Sequence, residues 1–256
     1  MNDSFAGKMR GAVSAALRRG GILRNLRMRL KMLTAPDSRE ALAVQYLRGK
    51  GIEIGALHQP LRVPEGAEVV YVDRLPIGEL RRQYPELREN ELTPVDVVDN
   101  GETLGKFQDG ALDFVIANHF LEHCENPIGA VEAFLRVLKP GGIVYLAVPD
   151  KRFTFDSNRP VTGLQHLIRD YREGPGWSRE EHFKDWRALA EDKFRDDPAR
   201  SMETLKDGSY SIHFHVWTFA EVLELIMYLK RDLRLVFEPE KIICGKSEMI
   251  VVLRKA

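Results

Sequence analysis

Several short apolar runs in this chain end in a polar residue able to grip or activate a ligand. Glu53 sits inside the first, Ile52-Glu53-Ile54, just before Gly55 and Ala56. Asp73 closes residues 69–72, Asp99 with Asn100 closes 95–98, Asn118 closes 112–117, and Asp150 follows 143–148. Histidines come next. His119 and His123 follow the fourth run, and His213 and His215 alternate in Ile212-His213-Phe214-His215-Val216-Trp217. An imidazole titrates near neutral pH, so each is a candidate base, as is Asp150. His119-Phe120-Leu121-Glu122-His123 also spells H-x-x-E-H, a zinc-protease pattern. That chemistry needs both histidines on one helix with the glutamate as base. Here an apolar run leads straight into the motif and Pro127 opens a new element, which argues against it. His213 and His215 would share one face of a strand. Two ligands without a third do not make a metal site, so no metal centre is expected.

The elements that must position these residues follow from periodicity. Asp37 to Glu40 reads as a capping box opening a helix through about Leu47. Residues 77–84 look helical. Asn126-Pro127 opens the best-defined helix, with Ile128, Val131, Leu135 and Leu138 on its period and Pro140-Gly141-Gly142 as its stop. A last helix spans about 218–229, and residues 233–237 and 249–253 read as two closing strands. Apolar runs alternating with helices imply parallel strands joined by crossovers, whose ligands bind at the strands' carboxyl ends. The expected fold is α/β: a Rossmann-like doubly wound, mostly parallel sheet with an antiparallel edge hairpin. Residues 151–210, rich in charge and tryptophan, read as a helical insertion or lid.

The 256 residues suit one such domain, and 44% hydrophobic content suffices for a core. Lys plus Arg and Asp plus Glu both number 38, which argues against a protein that coats nucleic acid. The balance is uneven: residues 1–34 carry eight basic side chains and one acid, Asp3. Residues 1–36 therefore read as a basic N-terminal extension to a domain over 37–256. The extension has no long apolar run, so it is neither a secretory signal nor a spanning helix. A peripheral membrane or protein contact through residues 1–34 is one expectation for it. Cys124 and Cys244 have no metal or disulfide spacing, which fits a reducing, cytoplasmic setting.

The stretches LDFVIANHFLEH, NPIGAVEAFLRVLKPGG and IVYLAVP together resemble the fourth strand, helix and fifth strand of class I S-adenosylmethionine (SAM)-dependent methyltransferases. The likeness is greatest to the small-molecule branch labelled methyltransferase type 11. It covers residues 50–150 in detail and the closing helix and strands in outline. It implies SAM as cofactor, with Glu53 and Gly55 at the first strand's turn, Asp73 on the ribose hydroxyls and Asp99 near the adenine. Ala56, Asn100 and Asn118 join them as cofactor-binding candidates. His119, His123 and His215 are the candidate catalytic residues, and His119 lies nearest the expected methyl position by chain order. Lys151, Arg152 and Arg159 could hold an anionic substrate, and Trp177, Trp186 and Trp217 could line an acceptor pocket. The family's turn holds several glycines, whereas here it reads Glu53-Ile54-Gly55-Ala56-Leu57-His58-Gln59-Pro60. This EIGAxHxP form is similar to that of a bacterial subgroup found near cell-surface polysaccharide genes. The resemblance thus implies methyl transfer to an oxygen or nitrogen of a small-molecule or saccharide acceptor. The altered turn and basic leader motivate the alternative, an inactive methyltransferase-fold binding or scaffold protein. A dinucleotide enzyme is disfavoured by the missing G-x-G-x-x-G.

Overall fold

The computed structural model describes residues 35–189 and 211–256. These fall into two units. The smaller comprises, among the described residues, 35–47 and Leu61–Glu65. Its helix α1, Arg39–Tyr46, is capped by Ser38, whose Oγ accepts from the Ala41 N–H at 3.3 Å. The cap is thus one residue later than the Asp37 box expected.

The larger unit is a seven-stranded sheet in the order β3-β2-β1-β4-β5-β7-β6. Its strands are β1 (Lys50–Ile54), β2 (Glu68–Asp73), β3 (Val97–Val98), β4 (Leu112–Asn118), β5 (Leu138–Pro149), β6 (Phe237–Cys244) and β7 (Glu248–Lys255). The first five are parallel, and β7 runs antiparallel to both β5 and β6. This is the expected mostly parallel, Rossmann-like sheet with an antiparallel edge hairpin. β4 and residues 142–149 of β5 are buried almost throughout, as strands covered on both faces must be. The order reverses between β1 and β4, which creates the crevice where such sheets bind ligands.

Helices α2 (Ile77–Gln83) and α3 (Pro127–Val137) occupy the crossovers. The α3 start is fixed by Pro127 at the first turn and by Asn126 Oδ1, which accepts from Gly129 N–H at 3.0 Å. After β5 come α4 (Leu164–Glu173) and α5 (Arg179–Leu189), in the region read as a helical insertion; residues 190–210 lie outside the described ones. The last helix, α6 (Phe219–Arg231), opens on a capping box between Thr218 and Glu221.

Two strand starts differ from expectation by four residues or more. Residues 233–236 are not strand: Arg234 has φ +55°, which no strand tolerates, and β6 begins at Phe237. β5 starts at Leu138 rather than Ile143, because Leu138 pairs with Leu112 before the register shifts. The expected peripheral membrane or protein contact through residues 1–34 is withdrawn. Those residues lie outside the described ones, and among the described residues no helix is long and apolar enough to cross a membrane. Among the described residues the longest helix has 13 residues, whereas a span needs about 20.

Candidate active site

The carboxyl ends of β1, β2 and β4 open onto one cavity of about 380 Å³. Its rim carries Ile54, Gly55 and Leu57 after β1, Asp73 and Arg74 at β2, and Asn100, Gly101 and Glu102 after β3. His119, Phe120 and His123 follow β4, Tyr84 follows α2, and Arg179, Phe183 and Phe214 close the outer side. Two glycines make the approach possible. Gly55 has φ +66°, and its N–H donates to Val72 O at 2.9 Å. A Cβ on Gly101 would lie 2.5 Å from Ile54 Cγ2 and 2.6 Å from the Phe120 ring. Leu57 takes φ +46° without being glycine, held by the Thr93 N–H that donates to its carbonyl at 2.6 Å.

Of the residues singled out in the sequence, Gly55, Asp73, Asn100, His119 and His123 border this cavity. Glu53 is buried within β1 itself and is not on the rim. Asp99 is engaged by its own loop: its carboxylate accepts from Asn100 N–H at 2.9 Å and Lys106 N–H at 2.8 Å. Ala56 and Asn118 also lie off the rim, and Asn118 Oδ1 is buried without a hydrogen bond. His215 is completely buried and sits in a separate cluster with His166, Asp170 and His182.

The charges at the rim are shaped by burial. Desolvation pushes the Asp73 carboxyl above its ordinary range, against the lowering effect of the Leu75 and Arg74 N–H groups and the Arg74 charge. Burial, reinforced by repulsion from His213, drives His123 down to about 4, so its ring is neutral at pH 7. The His123 Nδ1 lies 2.9 Å from Ile212 O and 3.0 Å from Ser211 Oγ.

His119 is the most constrained of the set. It has φ +49°, and its N–H donates to Ala147 O at 2.8 Å. Its Nε2 is 2.8 Å from Glu248 Oε2 and its Nδ1 is 3.5 Å from Glu122 Oε1. Glu122 is 1% exposed, and neither carboxylate oxygen has a hydrogen bond of good geometry. Burial pushes its carboxyl up, but His119, His213 and His123 outweigh this and hold it below the usual range. His119 also borders a second depression of about 600 Å³, with Arg152, Phe153, Phe155, Ser157 and His213.

Other expectations are corrected. Arg159 is 3% exposed and bonds Asp156 Oδ1 at 2.8 Å and the carbonyls of His213 and Phe214, so it is not free for an anion. Lys151 Nζ donates to Ser157 O, and Arg152 is paired with Asp150, so Asp150 is no free base. Trp186 and Trp217 are core residues, and exposed Trp177 lies under Arg169; none of the three borders either cavity. Glu122, Tyr84 and Arg179 escaped the sequence reading as site residues. Only the H-x-x-E-H spacing pointed to Glu122.

A parallel sheet with a polar crevice at its switch point defines a cofactor-binding α/β protein of the Rossmann type. A family model described as a methyltransferase domain matches residues 41–206. The chain therefore belongs to that methyltransferase family, within the Rossmann-fold class I SAM-dependent superfamily. An uncharacterized protein of Methanocaldococcus jannaschii is 28% identical over 116 residues, 44% of this chain. The matched stretch is half the length of that curated relative. The crystal structure of a Pyrococcus horikoshii protein is similar at TM-score 0.50 and 20% identity, covering 90% of this chain and 91% of that one. A SAM-dependent methyltransferase from Methanosarcina mazei matches at TM-score 0.45 and 20% identity, over 82% and 95% of the two chains. At 20% identity the Pyrococcus horikoshii structure speaks to fold alone.

Proposed function

We propose that the protein transfers a methyl group from SAM to an oxygen or nitrogen of a small-molecule or glycan-type acceptor. The observation that carries this reading is that Asp73 and His119, from the ends of different strands, border one cavity. The residues present suit the cofactor. Asp73 is a half-buried carboxylate able to accept two hydroxyl protons of a ribose. Gly101 is a position where any Cβ would collide, so the backbone forms a close-fitting wall. Asn100 offers an amide beside it, although its Oδ1 already accepts from Glu102 N–H at 2.8 Å. SAM, when bound, supplies a methyl carbon already activated by positive sulfur.

The chain's own part is alignment and proton removal. His119 stands between the cofactor cavity and the second depression, with the Glu122 carboxylate on one side of its ring. We assign it the role of base, with Nε2 exchanging its 2.8 Å contact with Glu248 Oε2 for the acceptor's proton. His123, neutral and hydrogen-bonded to the Ile212 carbonyl, orients that wall. Phe153, Phe155, Ser157 and Arg152 give the depression the mixture of apolar and hydrogen-bonding surface that a saccharide takes. Arg179 and Phe183 of α5 border the cavity, which supports a lid role for the insertion. The turn at 53–60 supports the type 11-like subgroup and hence a glycan acceptor. Thermal unfolding with SAM or S-adenosylhomocysteine tests the reading. A rise in Tm that Asp73→Ala removes supports it. No rise at millimolar concentration of either overturns it.

A further inference from the structure

Behind the cavity wall, three histidines and an aspartate converge from three separate segments. His166 and Asp170 lie one turn apart on α4, His182 is on α5, and His215 precedes α6. Their ligand atoms all lie within 4.8 Å of one another. We propose that they bind a structural zinc ion.

The spacing argues for it. Four ligands about 2.0–2.1 Å from zinc form a tetrahedron with edges of about 3.3 Å. His166 Nε2 is 3.0 Å from His182 Nε2 and 3.2 Å from Asp170 Oδ2, and His215 Nε2 is 3.6 Å from that same oxygen. Hydrogen bonding alone leaves the cluster incomplete. Asp170 and His215 are both fully buried, yet Asp170 Oδ2 and His215 Nδ1 have no hydrogen-bond partner. A buried carboxylate oxygen left in this state is costly, and a cation at the centre satisfies it. The other oxygen, Asp170 Oδ1, accepts from Ser178 Oγ at 2.8 Å, which fixes the carboxylate's orientation as outer partners of metal ligands do. His215 Nε2 also lies 3.4 Å from Glu125 O, a long contact that ligation of the ion would replace.

Imidazole with one carboxylate suits zinc, and four protein ligands leave no open position, the mark of a structural site. The ion fastens α4, α5 and the segment before α6 at one point. Arg179, Phe183 and Phe214, which border the cofactor cavity, stand on two of those segments. It therefore stiffens the wall against which the cofactor and acceptor would close.

The test uses the full chain, washed with a weak chelator and assayed for metals by mass spectrometry. The expected result is about one zinc per chain, falling at least tenfold in both H166Q and D170N. Cobalt(II) added to metal-stripped wild type should give the visible ligand-field bands of a tetrahedral site, which needs no variant to fold. Two results overturn the proposal. One is wild-type protein that carries no metal and gives no such bands. The other is metal that survives H166Q and D170N but is lost in E122Q, which would put the ion at the neighbouring Glu122, His123 and His213. Neither depends on methyl transfer, so this proposal can fail while the enzyme reading stands.

Discussion

His119 and Glu248 are joined by a 2.8 Å contact that links the residue after β4 to the first residue of β7. The same ring reaches buried Glu122, and its backbone is held at φ +49°. Asparagine tolerates that left-handed conformation but has no imidazole. His119→Asn should therefore keep the fold and the affinity for S-adenosylhomocysteine while lowering kcat about 100-fold or more. Steady-state kinetics beside a thermal melt checks this. An unchanged kcat removes His119 from the chemistry.

Asp73 supplies a pH prediction. Its carboxyl titrates above the ordinary carboxylate range because burial disfavours the charged form. Hydroxyl donors favour that charged form, so cofactor affinity should be greatest above this raised value. It should fall by up to about tenfold per pH unit below it. In the free protein the sign is opposite, since protonation relieves the burial of charge. Asp73→Asn should flatten the binding profile and weaken binding at neutral pH by about 10–100-fold. Calorimetric titration of S-adenosylhomocysteine from pH 4 to 8 reads both, and a flat wild-type profile refutes the role.

Gly101 tests the cavity wall. A methyl group there meets Ile54 Cγ2 on one side and the Phe120 ring on the other, so neither can move without disturbing its neighbour. Gly101→Ala should cost about 1–3 kcal/mol of stability and also weaken cofactor binding. Denaturant unfolding measures the first and thermal shift the second. Wild-type values for both would mean that the wall yields.

The parts of this fold that were legible in the sequence are those set by local rules. The alternating apolar runs place β1, β2, β4 and β5, and Asn126-Pro127 sets the start of α3. Residues 233–237 misled because Leu233, Leu235 and Phe237 alternate as a strand does. In fact Leu233 and Leu235 pack on the core from a turn bent by Arg234. The site was half legible. Asp73 and His119 stand where strand ends predicted, but Asp99 was turned inward by its own loop's N–H groups, which no spacing reveals. The histidine cluster was hidden for a different reason. Only His166 and Asp170 are one helical turn apart, and the rest meet through tertiary packing.

His123 gives a prediction about stability rather than activity. Its ring is held at about 4 by burial and by His213, whereas an unfolded histidine titrates near 6.5. The unfolded chain therefore binds the proton first as pH falls. Stability from this group is fully present above about 6.5, declines between there and about 4, and levels off once the folded protein also protonates. Across that window it should lose on the order of a few kcal/mol. His123→Gln removes the titration, so its unfolding free energy should fall less steeply over the same range, even if it is less stable at pH 7. Denaturant melts at half-unit steps from pH 4 to 7 measure both slopes. If the two proteins lose stability in parallel, His123 is not buried as a neutral ring in the folded protein.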